Sequence, residues 1–270
     1  MLRLRILTAL ILGGVLLLGL FALEPRWTVP AFGAVFTIGA WEWAAFGGLR
    51  TLPARLYYAG AIALLLLLSW RWTADPGRLE TLLGLACAWW LIAFGWLLLA
   101  PERHQPQLTL VCGVPVLVPA FLALARLDGA HHGRVSGPMI VLWLVFLVIA
   151  ADIGAFLVGR TLGRHKLAPR VSPGKTWEGA LGGLAMVALV AWGGAVHFGL
   201  PAPRAVAFGC AVGVFSVVGD LTESMFKRTA GLKDSGRLLP GHGGMLDRID
   251  SVTAAAPLYA LGLFSSGVLA

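Results

Sequence analysis

Long apolar runs recur along the chain, separated by short polar breaks. They fall near 5–23, 28–48, 56–70, 81–99, 108–126, 138–159, 178–198, 204–226 and 251–269. A helix that crosses the hydrocarbon core of a bilayer needs about 20 apolar residues, within a range of roughly 17–25. All but the third run meet that length, and the third would have to tilt little or thin the bilayer around it. The pattern predicts an all-α, polytopic integral membrane protein with about nine transmembrane helices. Trp27, Trp70, Trp72 and Trp177 stand at run ends, where an aromatic belt would sit. The first run follows Arg3 and Arg5, as a signal peptide would. Its apolar stretch from Ile6 to Leu23 is longer than a usual signal core and no A-x-A site follows, so a retained helix is expected.

Composition agrees with the pattern. Of 270 residues, 58% are hydrophobic and 13% charged, against about 25% charged in an ordinary soluble domain. Mean hydropathy is +0.83. The formal net charge of +8 suggests contact with anions. The plain source is the positive-inside bias of a membrane protein, the sharper one is anionic lipid or nucleotide phosphate, and with no soluble basic domain nucleic acid is not expected. With the N-terminus inside, 15 of the 21 Lys and Arg residues fall on the inner side and 6 on the outer. This bias predicts an N-in, C-out topology with loops 160–177 and 227–250 both cytoplasmic. Cys87, Cys112 and Cys210 lie in apolar runs without metal or disulfide spacing and are read as small buried hydrophobes.

The 13 acids divide the chain. Before residue 138 all but Glu42 lie in polar breaks, so 1–137 reads as scaffold helices. Region 138–270 reads as catalytic. Asp152 interrupts an apolar run, as expected of an intramembrane acid that faces a cavity and a partner. The eighth run continues into Asp220 and Glu223, which share a helical face with Ser216, Ser224 and Lys227. The stretch "GRHKLAPRVSPGKTWEG" clusters Arg164, His165, Lys166, Arg170 and Lys175 with Gly and Pro, a composition suited to phosphate but also to plain positive-inside charge. Its "SPGKT" lacks the upstream glycine and strand of a P-loop, so a Walker site is rejected.

The stretch "GHGGMLDRID" is polar, charged and rich in glycine in a chain that is mostly apolar. Gly241, Gly243 and Gly244 allow close approach, and their N–H groups could cradle an anion. Asp247 and Asp250 follow on one face at the start of the last helix, where capping is the plainer role. His242 reads either as a structural hydrogen-bonder or as a base. Carboxylates, cations and a glycine turn at one membrane face point to metal-assisted phosphoryl or nucleotidyl transfer, since Mg²⁺ usually takes one or two carboxylates plus substrate phosphates.

These residues closely resemble the phosphatidate cytidylyltransferases, or CDP-diacylglycerol synthases. That family's signature runs S-x-x-K-R, then K-D, P-G-H-G-G and D-R-x-D. It is met here by Ser224, Lys227, Arg228, Lys233, Asp234, Pro240, Gly241, His242, Gly243, Gly244, Asp247, Arg248 and Asp250. A second stretch, S-P-x-K-T-x-E-G, matches Ser172, Pro173, Lys175, Thr176, Glu178 and Gly179, and G-D-L-x-E-S matches Gly219 to Ser224. The likeness covers roughly 150–260. Phe156 stands where the family carries a tyrosine, so a hydroxyl near Asp152 is missing.

The resemblance implies transfer of CMP from CTP to phosphatidic acid, giving CDP-diacylglycerol and pyrophosphate, at the cytoplasmic face of the inner (plasma) membrane. It implies Mg²⁺ or another divalent cation, with one ion or two left open, and leaves a homodimer open. Asp220, Asp247, Lys227 and Arg228 are then the expected catalytic groups. Asp220 and Asp247 are the first expected metal ligands, with Glu223 and Asp250 second. Lys175, Lys227, Arg228, Lys233 and Arg248 would hold phosphates, and Asp152, Ser172, Thr176, Ser224, Asp234, His242, Gly243 and Gly244 would line the substrate site. Among rivals, a CDP-alcohol phosphotransferase would carry D-x-x-D-G-x-x-A-R, which is absent. A CTP-dependent polyprenol kinase is closer in chemistry. An ion-coupled transporter would show broken helices in both halves, whereas here the acids crowd one half.

Overall fold

The computed structural model describes residues 2–101, 105–133, 135–239, 241 and 243–269, with the side chains of 2–7, 9 and 25 excepted. Arg103, Arg134, Pro240 and the candidate His242 lie outside the described residues. In order, the elements are α1 (Leu2–Phe21), α2 (Pro25–Phe46), α3 (Leu52–Trp72), α4 (Pro76–Leu99), α5 (Pro106–Asp128), β1 (His131–His132), β2 (Val135–Ser136), α6 (Gly137–Leu162), β3 (Lys166–Ala168), β4 (Ser172–Thr176), α7 (Trp177–Phe198), α8 (Ala202–Thr229) and α9 (Leu246–Ser265).

Each apolar run is a helix, and the fold is α-helical with two small antiparallel hairpins that periodicity does not predict. Among the described residues seven helices, α2 to α8, are long and apolar enough to cross a membrane. Helix α1 contributes a shorter apolar stretch, Leu10–Phe21, and α9 opens on Asp247, Arg248 and Asp250. The third run is not short. Helix α3 begins at Leu52 with Pro53 in its first turn and reaches 21 residues, because proline is tolerated where the N–H is unpaired anyway. Trp27, Trp72 and Trp177 are exposed at helix ends. Trp70 departs from the belt expectation. It packs inward, with the Arg126 guanidinium 3.8 Å from its ring centroid and Arg126 Nη2 donating to its own carbonyl at 2.7 Å.

Helix α5 is the buried centre, with Val116 to Ala125 almost wholly enclosed. In a membrane the outer faces of the other helices stay apolar, so Leu64, Leu68, Leu91, Ile92 and Leu98 are exposed without penalty. Two close crossings set the site. Helices α6 and α7 meet through glycines: a Cβ at Gly179 would stand 2.8 Å from Ala155 O and 3.2 Å from Gly159 Cα. Helices α8 and α9 meet at Gly219, where a Cβ would stand 2.6 Å from Asp250 O and 3.0 Å from Ala254 Cβ. Gly219→Ala is therefore expected to force α8 and α9 apart and to lower both thermal stability and turnover. A variant with the melting temperature and kcat of the wild type would show that this crossing yields at no cost.

Candidate active site

The second hairpin delivers the first charged group. Thr176 ends β4 and caps α7, its Oγ1 accepting from Gly179 N at 3.1 Å. Glu178 ties the other end of the hairpin to α7 by accepting from Arg164 N at 3.1 Å and by pairing with His165 Nδ1 at 2.6 Å. Between these anchors Lys175 reaches α8, and its Nζ lies 2.6 Å from Asp220 Oδ2. Ser224, one turn on, donates to Asp220 Oδ1 at 3.3 Å. The pair is about one-quarter exposed, so solvent and ligands reach it. Ser172, at the far end of β4, makes no side-chain hydrogen bond among the described residues.

Deeper in, Lys227 is the hub. Its Nζ lies 2.6 Å from Asp247 Oδ1 and 3.1 Å from Glu223 Oε1, with all three side chains at most 8% exposed. The Glu223–Lys227 pair is the one that the i,i+4 spacing predicts, but burial makes it more than a surface pair. Its contact is an ion pair without an aligned hydrogen bond, and neither Glu223 oxygen has a hydrogen-bond partner among the described residues. Asp250 lies beside this cluster, its Oδ1 accepting from Ser251 N at 2.7 Å. It stands in the interior of the first helical turns and does not cap α9, whose N-cap is Met245 without a side-chain bond.

Asp247 has a full set of partners. Besides Lys227, its Oδ2 accepts from Gly244 N at 2.8 Å and Ser235 N at 2.9 Å, with Ser235 Oγ also at 2.9 Å. The glycine turn thus cradles an anion, but it is the protein's own carboxylate. Gly241 and Gly243 take φ of 77° and 81°, which L side chains rarely adopt. Gly244 is buried against Ser235 and Glu42, so it shapes the turn rather than facing an open site. Lys227 is likewise committed to carboxylates.

Glu42 is the residue that sequence reasoning set aside with the scaffold. It is 3% exposed on α2 and accepts from Ser235 Oγ at 2.9 Å, Met245 N at 3.0 Å and Leu246 N at 2.8 Å. The signal was present, since Glu42 is the single acid of the first half inside an apolar run.

Asp152 lines a cavity of about 410 Å³ with Phe156, Arg160, Leu167, Lys175, Thr176 and Val217. Its charged neighbours are Asp220, Lys175 and Arg248. The walls are mostly apolar, and Phe156 is 61% exposed at the rim, where a tyrosine would have placed a hydroxyl. A second cavity, of about 730 Å³, lies between α2, α3 and the loop, lined among others by Trp41, Glu42, Arg55, Lys233, Asp234 and Arg237. Arg228 is exposed, with Nη1 donating to Leu232 O at 3.2 Å. Lys233, Asp234 and Arg248 are exposed as well. A small apolar cavity among Trp143, Phe208 and Tyr259 is also lined by His132, whose Nδ1 lies 2.7 Å from Val268 O.

Among the described residues no three carboxylates, histidines or cysteines converge as a ready metal cage. The donor set nonetheless suits a hard divalent cation that keeps substrate phosphates as ligands. Asp152, Asp220, Glu223, Asp247 and Asp250 share the cations Lys175, Lys227 and Arg248, and the buried Glu223 oxygens lack hydrogen bonds.

The chain compares closely with curated proteins. It is 42% identical over 276 residues to the phosphatidate cytidylyltransferase of Pseudomonas aeruginosa, covering 99% of this chain and 98% of that one. It is 39% identical over 287 residues to the phosphatidate cytidylyltransferase of Haemophilus influenzae, covering 98% and 99%. That of Brucella suis is 38% identical over 225 residues, covering 74% of this chain and 82% of its own. The first-half helices, which composition marked only as apolar, are inside the two full-length alignments together with the Asp220, Lys227 and Asp247 cluster. The match to the Cytidylyltransferase family likewise runs from residue 3 to residue 265, and the chain belongs to that family.

Proposed function

We propose that this chain transfers CMP from CTP to phosphatidic acid, releasing pyrophosphate and leaving CDP-diacylglycerol in the membrane. The observation that carries the reading is Lys175. It lines a mostly apolar cavity while its ammonium holds Asp220. A lipid phosphate needs that combination, with apolar walls for acyl chains and a cation at the end for the head.

A phosphate oxygen of the lipid attacks the α-phosphorus of CTP, and the bond to the β-phosphate oxygen breaks. The nucleophile is already an anion, so little general-base work is required. The barrier is the approach of two polyanions, which cationic side chains and fixed geometry lower. Lys175 exchanges Asp220 for the lipid phosphate. Arg248, Lys233 and Arg228, exposed at the loop 227–250, hold triphosphate oxygens. Asp220, with Glu223 and Asp250 behind it, would hold a Mg²⁺ ion, whose chemistry is to neutralise phosphate charge and hold the reactants in line. Asp247 and Lys227 fix the loop and the charge balance beneath.

The charge bias supports nine spans, an N-in chain and a site on the cytoplasmic face of the inner membrane. One experiment tests reaction and orientation together. Sealed inside-out vesicles given labelled CTP and phosphatidic acid are expected to form CDP-diacylglycerol, and sealed right-side-out vesicles are not. Lys175→Ala is expected to lower kcat/KM for the lipid about 10-fold or more, with normal insertion. No product with CTP in either vesicle would overturn the reaction, and product in right-side-out vesicles would overturn the orientation.

A further inference from the structure

Glu42 lies far in sequence from every group assigned to the chemistry, yet its carboxylate is at the centre of the loop that orders them. We propose that Glu42 is a positioning residue of the transfer site, acting from the first half of the chain through Ser235 and the first N–H groups of α9. The inference rests on the reaction proposed above and adds to it the part that α2 plays.

Helix α9 has no side-chain cap of its own. Its opening amides, Met245 N and Leu246 N, donate instead to Glu42 Oε1 and Oε2 at 3.0 and 2.8 Å. An anion at a helix N-terminus is favoured there by both the free N–H groups and the dipole. The second link is Ser235, whose Oγ lies 2.9 Å from both Glu42 Oε2 and Asp247 Oδ2. A hydroxyl has one proton to give, so Ser235 couples the two carboxylates rather than satisfying each. Asp247 in turn holds Lys227, which holds Glu223. A shift of Glu42 therefore moves α9, the loop and the buried ion pairs as one.

Two glycines fit this role. A Cβ at Gly236 would overlap Glu42 Oε1, and its three nearest neighbours are all atoms of the Glu42 side chain. A Cβ at Gly244 would overlap Glu42 Oε2 and Ser235 Oγ. The glycine of the 233–237 segment and the last glycine of the turn leave room for a carboxylate arriving from another helix.

The test is a double-mutant cycle between Glu42 and Gly236, read in kcat, in the KM for CTP and in tryptic cleavage at Lys233 and Arg237. Glu42→Ala and Gly236→Ala are each expected to lower kcat by about 10–10²-fold, the scale on which a misplacement of about 1 Å acts. Cleavage after Lys233 or Arg237 should rise in both. The double variant is expected to be no more than about twofold worse than Glu42→Ala, because the neighbours of the added methyl are gone. Glu42→Gln should be as impaired as Glu42→Ala, since the amide turns one acceptor into a donor facing a donor. If Glu42→Ala does not accumulate in membranes, Glu42→Asp combined with Gly236→Ala replaces it. Retracting the carboxylate by one methylene should then recover activity over Gly236→Ala alone. Multiplicative losses, an active Glu42→Gln or no recovery with Glu42→Asp would overturn the proposal. Wild-type protein without CTP-dependent product would instead sink the reaction, and the proteolysis arm would still judge Glu42.

Discussion

Asp220→Asn is expected to cut CDP-diacylglycerol formation by about 10²–10³-fold, the usual loss when one electrostatic group of the transition state is removed. Expression and melting temperature should stay near wild type. Asp220 has light structural duties: one ion pair to Lys175 at 2.6 Å, a long hydrogen bond from Ser224 at 3.3 Å, and a quarter of its side chain open. A surface-reaching pair of this kind contributes little to stability. Asn keeps the size and one acceptor oxygen, so the folded site remains while the negative charge that would face a metal ion is lost. The measurement is product formation against Mg²⁺ concentration, with thermal unfolding in parallel. Full activity at ordinary Mg²⁺ would remove Asp220 from the reaction.

Asp247→Asn is expected to lower activity by about 10²-fold through misplacement of the loop, the scale on which a shift of about 1 Å acts, and, unlike Asp220→Asn, to lose stability as well. One Asp247 oxygen holds Lys227 and the other accepts from Ser235 and Gly244. An amide can serve only one side. With its NH₂ toward the loop it faces two N–H donors, and with its NH₂ toward Lys227 it faces an ammonium. Removing one partner of a buried ion pair costs on the order of 3–5 kcal/mol. Thermal unfolding of detergent-solubilised protein, compared between the two Asn variants, separates the roles. An Asp247→Asn protein that melts like wild type but is inactive would return Asp247 to direct metal ligation.

The sequence shows the helices because membrane burial demands long apolar runs, and all nine helix starts fall within five residues of the starts of those runs. The extra reach at α3 and α4 comes from polar first turns headed by proline, which hydropathy discounts. Asp152, Asp220 and Glu223 were legible because a charge inside an apolar helix requires a reason. The hairpin of β3 and β4 was not, since five residues containing Pro and Gly carry no strand periodicity. Nor was the employment of Asp247 and Lys227. Residue type and spacing give the set of charges, but which carboxylate meets which cation depends on the α8–α9 crossing at Gly219. Glu42 was visible as an oddity, but its partners lie 193 to 204 positions away, beyond any local pattern.

That separation bears on how the chain is made. Synthesis runs from the N-terminus, so Glu42 is emplaced with α2 long before Ser235, Met245 and Leu246 leave the ribosome. Buried backbone amides without partners are costly, and the start of α9 has no side-chain cap of its own. The last helix to be synthesised therefore meets an acceptor already waiting in the bundle. If Glu42 acts as proposed, its docking with α9 brings Asp247 and Asp250 beside α8, and the charged cluster closes as the last helix seats.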